Sequence, residues 1–177
     1  MACWFWFFMI YSFLGYCMEK LFARATHSPR RVRKCFLFLP LCPVYGLGMT
    51  AVLTLIPPAF PFPVLAVTGG ILCTATEYLV HLFYDRVFST RFWDYSSLSC
   101  HIRGRVCPHF ALLWGLLSAS AVRFLHPAVE TLSGSIPPAA TFAVWLLLAA
   151  DCVFTAALLA RFHDTELLSL SALLSQS

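Results

Sequence analysis

Long apolar runs, separated by short polar or proline-rich connections, dominate this chain. They do not alternate with the period of two that a half-buried strand requires. The stretch AVWLLLAADCVFTAALLA at 143–160 is typical. Five such runs approach the roughly 20 residues with which a helix crosses a bilayer core: 3–23, 36–56, 64–83, 106–124 and 138–160. Only helices and closed barrels satisfy their own backbone polar groups in lipid, and barrel strands would alternate. The expectation is an all-α polytopic integral membrane helix bundle of about five transmembrane helices. Residues 1–163 would form a single domain and 164–177 a short cytoplasmic tail.

Composition agrees with the pattern. Of 177 residues, 60% are apolar and 11% charged, and the mean hydropathy is +0.78. Soluble domains carry about 25% charged residues, so this chain cannot coat itself for water. A soluble enzyme, a disordered chain and a nucleic-acid binder are excluded, although the net charge is +4. The charge distribution says more than its sum. Lys20, Arg24, Arg30, Arg31, Arg33 and Lys34 flank or fill the first connection, Arg86, Arg91, Arg103 and Arg105 the third, and Arg161 follows the last run. These are eleven of the twelve Lys and Arg, Arg123 being the other. By the positive-inside rule the amino terminus lies outside and the carboxyl terminus in the cytoplasm of a cell membrane. The first run lacks the basic residues before it that a cleaved signal peptide has, so it should remain in the protein. Most of the eight cysteines read as small apolar fillers between helices.

An ionisable side chain within the bilayer usually faces protein or water. Glu19, Glu77 and Asp151 fall inside the runs. Gly70, Thr74, Glu77, His81 and Asp85 recur at helical spacing and form one narrow stripe that should face the bundle centre. Ser12, Gly15 and Glu19 make a shorter stripe. Glu19 and Glu77 then sit at similar depth near the inner surface. They could share one proton or pair with an arginine of the basic loops, with His81 as a hydrogen-bond partner; alternatively Glu19 snorkels beside Lys20. Asp151 has Thr155 one turn away and no defined role. An internal polar site of Glu19, Glu77, His81, Thr74 and Asp151 is the expectation.

Pro40 and Pro43 interrupt the start of the second run, as a kink near the surface or as a helix broken at a substrate site. The third connection mixes Phe88, Phe92, Trp93 and Tyr95 with Arg91, Asp94, Arg103 and Arg105, a composition suited to the headgroup layer. Cys100, His101, Cys107 and His109 match no zinc spacing; neither metal nor cofactor is expected. The tail places Leu167, Leu170 and Leu174 on one face.

At these residues the chain resembles the CmpB-like putative ABC-transporter type IV membrane proteins. Gly15-Tyr16-Cys17-Met18-Glu19 resembles the family's Gly-aromatic-x-x-Glu. Pro40-Leu41-Cys42-Pro43-Val44-Tyr45-Gly46 resembles its Pro-x-x-Pro-Ile-Tyr-Gly. Trp93-Asp94-Tyr95-Ser96, then Gly104-Arg105-Val106-Cys107 and Trp114-Gly115, resemble its WDYS…GRxC…WG run, and Glu77-Tyr78 its Glu-Tyr. Cys35 and Leu39 stand where glycines would be expected, and His101 where asparagine is usual. The resemblance implies a bacterial inner-membrane protein and a permease-type transporter component. The chain has no G-x-x-x-x-G-K-[ST] loop, so ATP hydrolysis would need a separate ATP-binding subunit. A pathway through so small a bundle would need a homo-oligomer or a second membrane protein. Two other readings stand beside it: a non-transport adaptor binding a partner or anionic lipid through the 86–105 loop, and a membrane-embedded enzyme acting on lipid head groups. Against the enzyme, no catalytic signature is present.

Overall fold

A computed structural model describes residues 2–26 and 35–168, apart from the side chains of Glu166 and Leu167. Arg30, Arg31, Arg33, Lys34 and most of the expected amphipathic tail lie outside the described residues. Helix α1 is Ala2–Ala25, α2 Pro43–Leu55, α3 Phe62–Val87, α4 Pro108–Ser120, α5 His126–Ser135 and α6 Pro138–Phe162. Among the described residues there is no strand, only one isolated bridge between Ile102 and Val106.

Three rods are long and apolar enough to cross a membrane: α3, the continuous α4–α5 over Pro108–Gly134, and α6. The expected five spans are thus met in part. Helix α1 has 24 residues, about 36 Å at 1.5 Å each, but carries Glu19, Lys20 and Arg24 in its last turns. Helix α2 is apolar but has only 13 residues.

The second run departs most from the sequence expectation. Residues 36–42 are not helical, and the helix begins only at Pro43. Each proline pushes the residue before it toward extended backbone and removes an amide donor, so Leu39 and Cys42 cannot continue a helix while Pro43 can open one. Cys35, Leu37, Leu41 and Cys42 are nevertheless buried. Backbone buried in this way must find partners elsewhere. The Asp151 carboxylate accepts the Phe38 and Leu39 amides at 3.2 and 3.0 Å, and the Ser12 carbonyl accepts that of Cys42 at 2.8 Å.

The fourth rod runs past its expected end at 124. Pro127 would break an ordinary helix, since it lacks an amide and crowds the preceding turn. A π-turn over Ala121–Leu125, in which the His126 amide reaches back to the Ala121 carbonyl, absorbs the misfit, and the helix continues to Ser135.

Small residues set the packing. Helices α3 and α4 run antiparallel with Gly70 against Gly115 and Gly69 against Ser118, the close approach that drives association where lipid removes the hydrophobic incentive. Large apolar side chains such as Ile71, Leu112, Phe124 and Val153 face outward, as a lipid-facing surface requires. The described Lys and Arg other than Arg123 gather at the end where α1, α3 and α6 finish. There the His163 ring meets the Phe88 carbonyl at 2.6 Å and pins α6 to α3.

Candidate functional site

Within an apolar bundle an acid must be surrounded by donors or it destabilises the fold, and Glu77 is so surrounded. It is 4% exposed on α3. The Tyr95 hydroxyl donates to its Oε1 at 2.8 Å and the Trp114 indole N–H to its Oε2 at 2.9 Å. Glu19 on α1 is 7% exposed, and the Tyr45 hydroxyl donates to its Oε1 at 2.9 Å. Glu19 is therefore internal rather than snorkelling. Both acids line one cavity of about 280 Å³, together with Tyr45, Tyr95, Trp93 and Trp114.

The sequence builds this cavity from pieces far apart. Tyr45 sits in the first turn of α2 because that helix starts at Pro43, and its ring lies directly on Gly15, where any Cβ would collide with it. The next residue, Gly46, lies against Ser12 and the Phe8 carbonyl of α1. Tyr45 and Trp114 pack at 4.7 Å between centroids, and Tyr95 stacks on Phe110 at 4.7 Å and 20°.

Tyr95 is held by the connection between α3 and α4. Its amide donates to the Gly104 carbonyl at 2.8 Å. Asp94 Oδ1 accepts the Ser96 amide at 2.8 Å, an Asx-type turn. The Trp93 indole donates to the Arg105 carbonyl at 3.0 Å. Gly104 has φ +70°, and a Cβ there would stand 2.6 Å from Asp94 Oδ1, so the position needs glycine twice over. Arg105 donates to Asp85 Oδ2 at 2.8 Å and to the Tyr78 hydroxyl at 3.2 Å, fastening the loop to α3. His101 accepts the Gly104 amide on Nδ1 at 2.9 Å, the task an asparagine side-chain oxygen would also perform.

The Ser96 amide, chiefly, and the Ser96 hydroxyl hold the Asp94 carboxyl below its ordinary 3.8. A carboxyl depressed by folding stabilises the folded loop above the unfolded value and loses that contribution as pH falls through the folded one. Hydrogen-exchange protection of the Ser96 amide should therefore be full at neutral pH and decline below about 3.8, whereas Asp94→Asn should flatten the profile. Protection that ignores both pH and the substitution would refute this role.

Of the expected internal site, the structure brings together Glu19 and Glu77 and leaves three residues elsewhere. His81 is buried on the same stripe, but its ring meets Trp93 edge-on at 5.2 Å, and its Nδ1 has no hydrogen-bond partner among the described residues. The Glu77 carboxylate receives Tyr95 and Trp114 where His81 was expected. Thr74 lines a separate apolar groove between α3 and α4. Asp151 holds the broken segment before α2 and takes the Thr155 hydroxyl at 3.2 Å. Pro40 lies in that segment; Pro43 also lines the cavity. Ser96 serves the turn.

Sequence reasoning missed the carboxylates' donors: Tyr45, Tyr95 and Trp114 stood out only as motif residues. A signal existed, because a buried acid in so apolar a chain must draw on the few side chains with a polar tip. Among the described residues no group of three His, Cys, Asp or Glu could hold a metal ion.

A family model described as putative ABC-transporter type IV matches residues 6–157. Searches of curated proteins and of solved structures find no match.

Proposed function

Since the chain belongs to the putative ABC-transporter type IV family, we propose that this membrane protein is the permease-type component of a transporter, with its substrate site at the Glu19–Glu77 cavity in the cytoplasmic half of the bundle. One observation carries the reading: two acids from separate helices line a single cavity, Glu19 held by Tyr45 of α2 and Glu77 by Tyr95 of the α3–α4 connection. Apolar bundles retain buried charge of this kind chiefly for function. The positive-inside rule supports placing the basic end of the bundle in the cytoplasm, and the family supports a bacterial inner membrane. ATP hydrolysis then belongs to a separate subunit. The Trp93–Arg105 connection, fastened to α3 through Arg105 and to the cavity through Tyr95, is the element suited to receive its motion.

Vesicles containing the chain and its ATP-binding subunit test this. ATP hydrolysis should depend on the chain and fall at least tenfold with Glu19→Gln or Glu77→Gln while subunit association persists. Hydrolysis indifferent to both variants would sink the proposal. The adaptor reading predicts the opposite pattern: changing Trp93, Asp94 and Arg105 abolishes association, and Glu77 is dispensable.

A further inference from the structure

The segment leading into α2 carries two thiols to which the proposed function gives no part. Cys35 and Cys42 are both buried, and all eight cysteines of the chain are thiols. The Cys35 thiol donates to Cys42 Sγ at 2.6 Å, against about 2.04 Å for two bonded sulfurs. A helix would hold positions seven apart about 10 Å from each other; the non-helical backbone of residues 36–42 folds back instead. Neighbours fix this approach from each side. Phe36 stacks on Tyr84 at 5.2 Å and 15°, Asp151 holds the Phe38 and Leu39 amides, and the Cys42 amide ends on the Ser12 carbonyl.

Two thiols so placed can take up a metal ion or lose a pair of electrons. Distance decides against the metal. A tetrahedral ion bonded to both sulfurs at about 2.3 Å would hold them about 3.8 Å apart, and among the described residues no group of three His, Cys, Asp or Glu completes a ligand set. A disulfide needs the opposite, a slightly closer approach. Both cysteines line the cavity of about 280 Å³, whose wall also includes Met18, Phe22 and Leu113, large side chains exposed on the outer surface. A small neutral oxidant fits that space.

We propose that Cys35 and Cys42 are a reversible disulfide site, closed by hydrogen peroxide and reopened by a dithiol, which clasps residues 35–42 in front of α2. One sulfur attacks a peroxide oxygen, the O–O bond breaks, and the thiol proton leaves with the departing hydroxide as water. The second sulfur attacks the resulting sulfenic acid; its S–O bond breaks, and the second thiol proton leaves with that hydroxide as another water. Two sulfurs have then given two electrons to one peroxide. A dithiol reverses the step by two exchanges and becomes a disulfide itself. Cytoplasmic disulfides are chiefly transient and redox-sensing, the kind that the orientation proposed above calls for; the site itself does not rest on the permease reading. Closing the loop removes the segment's freedom to open, and that segment leads directly into the turn of α2 that carries Tyr45.

The full-length chain, purified in detergent, reduced, freed of reductant and treated with hydrogen peroxide, tests this. After denaturing alkylation, peptide mapping should find the Cys35–Cys42 cross-link at least tenfold above any other cysteine pair, with the mass of the linked peptides lower by two hydrogens. Dithiothreitol should restore both thiols. Hydrogen exchange of the Phe38 and Leu39 amides should slow at least tenfold in the oxidised chain. A chain with its other six cysteines changed to alanine, checked for unchanged helix content, should form the same cross-link without competitors. Adding Cys42→Ser to that chain should leave a Cys35 sulfenic acid that dimedone traps, because no second thiol condenses with it. Thiols that survive peroxide, cross-links spread over other pairs, a cross-link that dithiothreitol does not reopen, or amide exchange indifferent to oxidation each overturn the proposal, whether or not ATP hydrolysis depends on the chain.

Discussion

Replacing Glu77 with alanine should lower the stability of the detergent-solubilised chain by about 2–6 kcal/mol, from two abandoned donors at roughly 1–3 kcal/mol each. The Tyr95 hydroxyl and the Trp114 indole both end on this carboxylate, and alanine offers neither of them an acceptor. Tyr95 also carries the α3–α4 connection through its amide, so the damage should spread to Trp93 and Gly104. Glu77→Gln keeps an acceptor oxygen and nearly the same shape, so it should lose well under half as much. Thermal unfolding of the three proteins, followed by circular dichroism, makes the comparison. If alanine and glutamine prove equally mild, the hydrogen bonds to Glu77 contribute little and its burial needs another explanation. The contrast also separates two meanings of the residue: a glutamine variant that folds but fails to couple ATP hydrolysis places the charge itself in the function.

The second large effect concerns a residue with no side chain. Gly46→Ala adds one methyl group, yet that methyl would overlap the Ser12 hydroxyl and stand 2.5 Å from the Phe8 carbonyl. A carbonyl of a helix cannot step aside, so α1 and α2 must separate. Separation strains two further contacts of the same seam: the Cys42 amide on the Ser12 carbonyl at 2.8 Å and the Tyr45 hydroxyl on Glu19. Overpacking costs about 1–3 kcal/mol, occasionally more, and a backbone obstacle puts this case at or beyond the upper end. Gly134→Ala is the matched control, because among the described residues nothing lies within 4 Å of a Cβ there. In a helix that change should be neutral or stabilise by up to about 1 kcal/mol. Yields of monodisperse protein and unfolding temperatures of the two variants should diverge sharply; similar values would mean that α1 and α2 slide apart freely.

How much of this was legible beforehand differs from residue to residue. The stripe Gly70–Glu77–His81 is a matter of angle along one helix, and those residues are indeed buried. Its lower end, Asp85, is tied to Arg105 and Arg91 at 2.8 and 3.3 Å, a pairing that crosses from helix to loop and leaves no trace in periodicity. Thr74 and Asp151 had the right polarity for an internal site but the wrong surroundings. A polar side chain inside a membrane helix needs some partner, and sequence alone cannot say whether that partner is a ligand, a neighbouring acid or a stranded amide. The amides of Phe38 and Leu39 became stranded because Pro40 and Pro43 stop the helix, and Asp151 answers them.

The sequence by itself determined the class of molecule: an apolar, helical membrane protein with most of its positive charge concentrated around the first and third connections. Hydropathy, helical period and charge asymmetry are local sums along the chain. Tertiary structure alone decided that Tyr45, Tyr95 and Trp114, drawn from three elements, would close around two acids from two others. Hydrogen-bond donors find acceptors through space, and that convergence depends on which helices approach closely, which at Gly15, Gly46 and Gly70 is a question of backbone contact.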